Sequence, residues 1–244
     1  MKGNIYKNNH RSLNFLISSF PNMFLAIVPA YNEEKTIGSV VQSLFDHVDR
    51  VVVVDDGSRD ETAARAAGAG ATVLRHELNR GQGAALETGH EYARMIGAEH
   101  VLHFDADEQF DVADIRPALA KLKNTAADVL LGSRFLDGRS RVPWVKRRLL
   151  LPLARLFHRL TDRTRLTDAH NGFRVLNRRA LDMIRLTQDR MAHASEIPAQ
   201  AARAGLKTVE LPVRVVYREY GQGMGGGARI IKELIFGKFI RRIN

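Results

Sequence analysis

Cysteine is absent from all 244 residues, which excludes a disulfide framework, a thiolate metal site and a cysteine nucleophile. No apolar stretch approaches the length of a membrane-spanning helix. The short run LNFLISSF follows Lys2, Lys7 and Arg11 in the loose outline of a signal peptide, but Asn14 interrupts it and no small-residue cleavage site follows. Residues 1–22 therefore read as a poorly ordered extension ahead of a first strand that opens at Met23. Internal repeats and low-complexity linkers are also missing. Acidic residues are in short supply, with 27 Asp and Glu against 37 Lys and Arg, a formal charge of +10. That imbalance calls for an acidic partner: nucleic acid, an anionic membrane surface or a phosphorylated substrate. Nucleic acid fits least, since no aromatic platform is interleaved with the arginines and no recognition-helix motif is evident.

From Met23 onward, apolar runs alternate with helical patterns. FLAIV (24–28), VVVV (51–54), ATVLR (71–75), HVLHF (100–104) and DVLLG (128–132) predict strands; helices are predicted near 34–45, 60–67, 82–96 and 111–123. Continuous rather than alternating apolar runs indicate strands covered on both faces. The expected fold is α/β, a Rossmann-like doubly wound, mostly parallel sheet with helices on both faces. Ligands in such sheets bind beyond the carboxyl ends of the strands. Those ends are where the unusual residues gather: PAYNEE, DDGSRDET, DADEQF and GSRF. Asp105, Asp107 and Glu108 fall within four residues, a costly arrangement unless solvent screens them or a cation sits between them.

The second half has a different texture. Residues 139–165 are rich in Arg and Leu, with Val145, Leu149, Leu153, Leu156, Phe157 and Leu160 on one helical face and Arg147, Arg148, Arg155 and Arg159 on the other. Pro152 divides the stretch. The tail ARIIKELIFGKFIRRIN repeats this chemistry. The division of the chain reads as an extension (1–22), a main domain (23–220) and a Gly-rich loop with a basic amphipathic tail (221–244).

PAYNEE, VVVVDDGSRDET, NRGQGAALETG, DADEQF, GSRF and NGFRVLNRRAL occur in the order seen in family 2 glycosyltransferases. The chain most resembles the branch that makes dolichyl- or polyprenyl-phosphate sugars. The resemblance implies a GT-A fold and transfer of a hexose, with inversion, from a nucleotide-diphosphate sugar of the GDP-mannose or UDP-glucose type. It implies Mg²⁺ or Mn²⁺, held on the metal side by Asp107 and Gln109, with Asp105 and Ala106 facing the nucleotide. Such ions take oxygen ligands and accept substrate phosphates into their shell. By the same resemblance Pro29, Tyr31 and Glu33 line the base and ribose, and Asp55 and Asp56 bond the base, although one of that pair can instead hold the loop or cap the next helix. NRGQG (79–83) reads first as a turn and helix start, then as a donor-contacting loop.

Arg134 and Arg147 match family arginines that hold donor and acceptor phosphates, a task suited to their permanent forked charge. Arg148 is the neighbouring alternative to Arg147. Arg218 is either a donor-phosphate contact or a surface arginine at a strand end. Asp168, Asn171, Gly172 and Arg174 are expected to shape and brace the acceptor side, with His170 packed or facing solvent. No Glu-Asp dipeptide occurs; family members that glycosylate hydroxyl groups usually carry one late in the chain. An acceptor phosphate needs no base, so the missing pair favours a lipid phosphate. Glu196, with His193 beside it, is the candidate base if the acceptor is instead a saccharide hydroxyl. The expected partners are a sugar nucleotide, polyprenyl phosphate, an anionic membrane surface and a membrane partner subunit. The expected location is cytoplasmic, peripheral on the inner face of the membrane.

Overall fold

The structure is a computed structural model that describes residues 22–137, 166–168, 170–190 and 192–216. The expected extension, the Arg/Leu segment 139–165 with Arg147 and Arg148, Arg218 and the tail 221–244 lie outside the described residues.

Among the described residues seven strands form one sheet: β1 Phe24–Ala30, β2 Arg50–Asp55, β3 Thr72–Arg75, β4 His100–His103, β5 Val129–Ser133, β6 Arg174–Asn177 and β7 Thr208–Pro212. They run in the order β3-β2-β1-β4-β6-β5-β7. Every neighbouring pair is parallel except β6, which is antiparallel to both β4 and β5. The order reverses beside β1, so the carboxyl ends of β1, β2 and β4 face one crevice. This GT-A-type arrangement is the expected mostly parallel sheet.

Among the described residues six α-helices accompany it: α1 Ile37–Leu44, α2 Thr62–Gly68, α3 Gln82–Met95, α4 Ile115–Asn124, α5 Arg178–Met183 and α6 His193–Arg203. One face of the sheet packs Ala26, Val28 and Val53 against Ile37, Val41, Ala66, Ile115 and Leu122 of α1, α2 and α4. The other packs Leu25, Ile27 and Val52 against Ala85, Leu86, Leu181 and Ile197 of α3, α5 and α6. Alternate residues of each central strand are thus buried on opposite sides, which is why these strands read as unbroken apolar runs. Each of the four β2 valines, at most 2% exposed, contributes about 1.5–3 kcal/mol by leaving water.

Two differences from the sequence reading have local causes. α1 starts at Ile37 rather than Glu34, because Glu33–Thr36 form a turn in which the Glu33 carbonyl accepts from the N–H groups of Thr36 (3.1 Å) and Ile37 (2.9 Å). β6 has only four residues and buries an arginine, so it lacks the apolar run that marked the other strands.

Candidate active site

The first wall of the crevice is built by β1 and β2. Beyond Ala30 the chain exposes Tyr31 (44%) and turns at Asn32, which adopts a left-handed conformation (φ 56°). Asn32 donates its N–H to Ser58 Oγ (2.9 Å) and accepts from Arg59 N (3.0 Å), while Glu33 N donates to Thr62 Oγ1 (2.8 Å). PAYNEE and DDGSRDET are therefore laced into one unit, with Pro29 in register with Val54 on the floor below.

The acidic pair that ends β2 divides its work. Asp55 is fully buried; Oδ1 accepts from Ser58 N (2.9 Å) and Oδ2 pairs with Arg75 Nε at 3.1 Å. Asp56 holds the NRGQG loop: it accepts from Arg80 N (2.9 Å) and Gly81 N (2.6 Å) and contacts His76 Nδ1 at 2.7 Å. The Asp189 carbonyl caps α3 by accepting from Ala84 N (3.1 Å), and a Cβ on Gly83 would lie 1.9 Å from the Gln188 carbonyl. These N–H groups are engaged inside the protein, so NRGQG is the turn and helix start. Its Gln82 side chain does reach the crevice, donating to Asp105 Oδ1 at 2.9 Å. Gln82 sits in a stretch whose sequence signal is its glycines, which hid it.

DADEQF crosses the floor. Ala106 is buried, and Glu108 occupies a left-handed position (φ 57°) that turns its carboxylate to the Ser39 hydroxyl on α1. The tight turn thus diverts Glu108 and leaves Asp105 and Asp107 in the crevice. Asp107 Oδ1 accepts from Gln109 N (3.1 Å), and the Gln109 carbonyl accepts from Val216 N (2.9 Å), tying the loop to the chain beyond β7.

Burial raises the pKa of Asp105 to about 7, reinforced by the charges of Asp107 and Glu33 and opposed by Arg174 and Gln82. Burial also raises Asp107, with Glu108 adding to it, and raises Glu33, with Asp107 and Asp60 adding to it. Three carboxyl groups on which burial, together with neighbouring acids, disfavours charge form a site that gains from a cation. Among the described residues no group of three or more His, Asp or Glu side chains forms a complete metal cage. An oxygen-only pair of carboxylates fits Mg²⁺ or Mn²⁺, which complete their shells with water and substrate phosphate.

The opposite wall comes from β5, β6 and β7. Arg134 forms a two-pronged pair with Asp168, Nε to Oδ2 at 2.7 Å and Nη2 to Oδ1 at 2.8 Å. Glu210 on β7 fixes this partner by accepting from Thr167 N (2.8 Å), Thr167 Oγ1 (2.7 Å) and Asp168 N (3.2 Å). Glu210 carried no motif signal, because its partners lie 42 and 43 residues away. Asn171 accepts from Phe173 N (2.9 Å), which shapes the turn into β6. A Cβ on Gly172 would lie 2.4 Å from Asp105 Oδ2, so this turn presses directly on the floor. Arg174, 1% exposed, stands opposite His103 in the strand register; the charges of Asp105 and Asp168 act on it, while burial brings its pKa down to about 10.

Behind Arg174 lies a layer of buried histidines. His103 and His90 approach Nε2 to Nε2 at 2.7 Å, with Glu87 3.4 Å from His90 Nδ1. Burial lowers the pKa of both, and brings His193 to about 4 with help from Arg174. The carboxylate of Glu196 takes four donors: Thr187 N, Thr187 Oγ1, Gln188 N and Gln200 Nε2. It clamps the segment that caps α3. His170 is exposed, with its Nε2 3.4 Å from Ser195 Oγ.

Residues 25–185 match the model of glycosyl transferase family 2. The chain belongs to that family. It is similar to the UDP-N-acetylglucosamine–dolichyl-phosphate N-acetylglucosaminyltransferase of Methanococcus voltae, 30% identical over 84% of this chain and 90% of the relative. It is also similar to the undecaprenyl-phosphate mannosyltransferase of Micrococcus luteus, 30% identical over 83% of this chain and 88% of the relative. Among solved structures it resembles the glucosyl-3-phosphoglycerate synthase of Mycobacterium tuberculosis in complex with Mn²⁺, UDP-glucose and phosphoglyceric acid (TM-score 0.68, 19% identity, 92% of this chain and 80% of that one). At that identity the likeness speaks to the fold of this glycosyltransferase.

Proposed function

We propose that this family 2 glycosyltransferase moves a hexose from a nucleotide-diphosphate sugar to a polyprenyl phosphate at the membrane surface. One observation carries the reading: the acids Glu33, Asp105 and Asp107 influence one another at one end of the sheet, where Arg134 pairs with Asp168 and the buried Arg174 feels both Asp105 and Asp168. A cation-bound pyrophosphate complements the first group and an acceptor phosphate the second. The names of the Methanococcus and Micrococcus relatives support the lipid phosphate.

Pro29, Tyr31 and Glu33 would line the base and ribose, with Asp55 and Asp56 beneath, and Asp105 and Ala106 would meet the sugar and pyrophosphate. Asp107 and Gln109 would hold Mg²⁺ or Mn²⁺, which when bound neutralises charge developing on the leaving diphosphate. Arg134, with Arg147 and Arg218 from segments outside the described residues, would orient phosphate oxygens. The acceptor oxygen forms a bond to the anomeric carbon as the bond to diphosphate breaks, and the electron pair leaves with the nucleotide. No proton has to be removed from an ionised acceptor. That agrees with Glu196 being committed to four donors.

Among the described residues no helix is long and apolar enough to cross a membrane. The basic segments 139–165, rich in Leu, and 221–244, with interleaved Ile and Phe, are the parts of the sequence suited to lie on an anionic surface, alone or with a partner subunit, on the cytoplasmic face. The test is incubation with polyprenyl phosphate, Mn²⁺ and radiolabelled UDP- or GDP-hexoses. Organic-extractable label that disappears in Asp107→Asn supports the reading; no such label with any donor sinks it.

A further inference from the structure

We propose that Glu210 is a positioning residue for the acceptor phosphate, acting on Arg134 through an ordered run of hydroxyl groups and through Asp168. The inference rests on the proposed function, in which Arg134 meets that phosphate. Arg134 follows the last residue of β5, and the backbone around it is held on both sides. Its own N–H donates to Asp168 Oδ2 at 3.1 Å, Phe135 N donates to Ser133 Oγ at 3.3 Å, and Ser133 Oγ lies 2.7 Å from Thr167 Oγ1. The Ser133–Thr167 contact alone has no direction, because either hydroxyl can donate. Glu210 gives it one. The Thr167 hydroxyl spends its single proton on Glu210 Oε1 at 2.7 Å, since a carboxylate oxygen accepts. Thr167 Oγ1 must therefore accept from Ser133, which is fully buried and whose own proton is then committed.

The result is one run, from Phe135 N–H to the Ser133 hydroxyl, the Thr167 hydroxyl and Glu210, in which each bond polarises the next. The same Oε1 accepts from Thr167 N (2.8 Å) and Asp168 N (3.2 Å). Asp168 is thereby set where both its oxygens meet the Arg134 guanidinium, Oδ2 at Nε (2.7 Å) and Oδ1 at Nη2 (2.8 Å). Glu210 is itself seated: β7 places it in register with Leu131 of β5, and its carbonyl accepts from Lys121 Nζ on α4 at 2.7 Å. One carboxylate oxygen on the neighbouring strand thus sets both the backbone around Arg134 and the plane of its guanidinium. Asp105 and Asp107 accept instead from Gln82 and Gln109, so the influence of Glu210 falls on the acceptor side of the crevice.

The experiment measures two affinities of the full chain, for farnesyl phosphate and for UDP or GDP with Mn²⁺. Glu210→Met keeps the bulk of the side chain and removes the accepting oxygen. It is expected to weaken farnesyl phosphate about tenfold, the scale of one charge-assisted hydrogen bond. Nucleotide affinity should stay within about twofold, as for an independent site. Glu210→Gln retains an oxygen in the same place and should bind the lipid phosphate close to wild type. In an Arg134→Ala background Glu210→Met should cost nothing further, because both changes act on the same contact. Unchanged farnesyl phosphate affinity in Glu210→Met would overturn the proposal. So would equal weakening of lipid phosphate and nucleotide, no recovery in Glu210→Gln, or a loss that persists in Arg134→Ala. Should Glu210→Met fail to fold, Thr167→Val cuts the hydroxyl run alone and should weaken farnesyl phosphate about threefold; no change there counts equally against the proposal. Farnesyl phosphate bound alike by wild type and Glu210→Met removes the positioning role and leaves the proposed function standing; no binding by wild type removes both.

Discussion

Replacing Gly172 with alanine tests how closely β6 fixes the floor of the crevice. An ideal Cβ there lies 2.4 Å from Asp105 Oδ2 and 3.0 Å from both Cγ and Oδ1. Ordinary contact begins near 3.4 Å, so the carboxylate must retreat or rotate by about 1 Å. Gln82 Nε2, now 2.9 Å from Oδ1, loses its hydrogen bond on such a move. A misplacement of this size in a reacting constellation costs on the order of 10²-fold, equivalent to about 3 kcal/mol of barrier. The fold suffers less: overpacking costs roughly 1–3 kcal/mol, a few degrees of Tm for a chain of this size.

The assay is kcat/KM for sugar transfer, taken well below the melting temperature, alongside Tm. Gly38→Ala is the matched control. It lies in α1 with nothing within 4 Å of the added methyl, so it should keep activity and add up to about 1 kcal/mol of stability from helix propensity. Full activity in Gly172→Ala would refute the reasoning, because it would mean that the Asp105 position does not matter or that β6 yields freely.

Asp107→Asn should lower transfer at least about 100-fold with little change in Tm, because it removes a charge that already carries a burial penalty; retained turnover would end the metal assignment. Glu196→Gln should keep kcat within about threefold but lose roughly 1–3 kcal/mol of stability in urea unfolding, since an amide cannot accept from all four donors; loss of activity in a stable variant would instead make it a base. His193 is buried with a folded pKa near 4, below the unfolded value near 6.5. The unfolded state therefore binds more protons between these values, and stability falls as pH drops from 6.5 toward 4. His193→Gln should shrink the stability difference between pH 6.5 and pH 4.5 by roughly 2 kcal/mol. Asp105, raised to about 7, contributes with the opposite sign: the stability its protonated form provides is lost as pH rises through about 7. The test is thus the variant against wild type at both pH values, and equal slopes would refute it.

The sheet was legible wherever burial was two-sided. FLAIV and VVVV are apolar at every position because α1, α2 and α4 cover one face and α3, α5 and α6 the other. β6 escaped notice for the converse reason: Arg174 occupies one of its four positions, and its charge is tolerable only because Asp105 and Asp168 come to it from other strands and loops. The local part of the site could be read for a similar reason. Asp105, Asp107 and Glu108 lie in one turn, so their crowding is visible in the sequence, while the left-handed backbone that turns Glu108 to Ser39 is visible only in the structure.

Residues whose meaning depends on distant partners were opaque. Glu196 looks like a base beside a histidine until Thr187 and Gln188 fold back onto it. Arg134 looks like a fork open to phosphate until the chain returns, 34 residues later, with Asp168. In both cases the sequence shows the chemical capacity of a side chain, while the fold decides how much of it is already engaged. Solvent is the remaining competitor in the crevice. The site's acids are raised by burial before any substrate arrives, so the folding energy of two apolar layers sustains an electrostatic strain that a cation-bound donor can relieve.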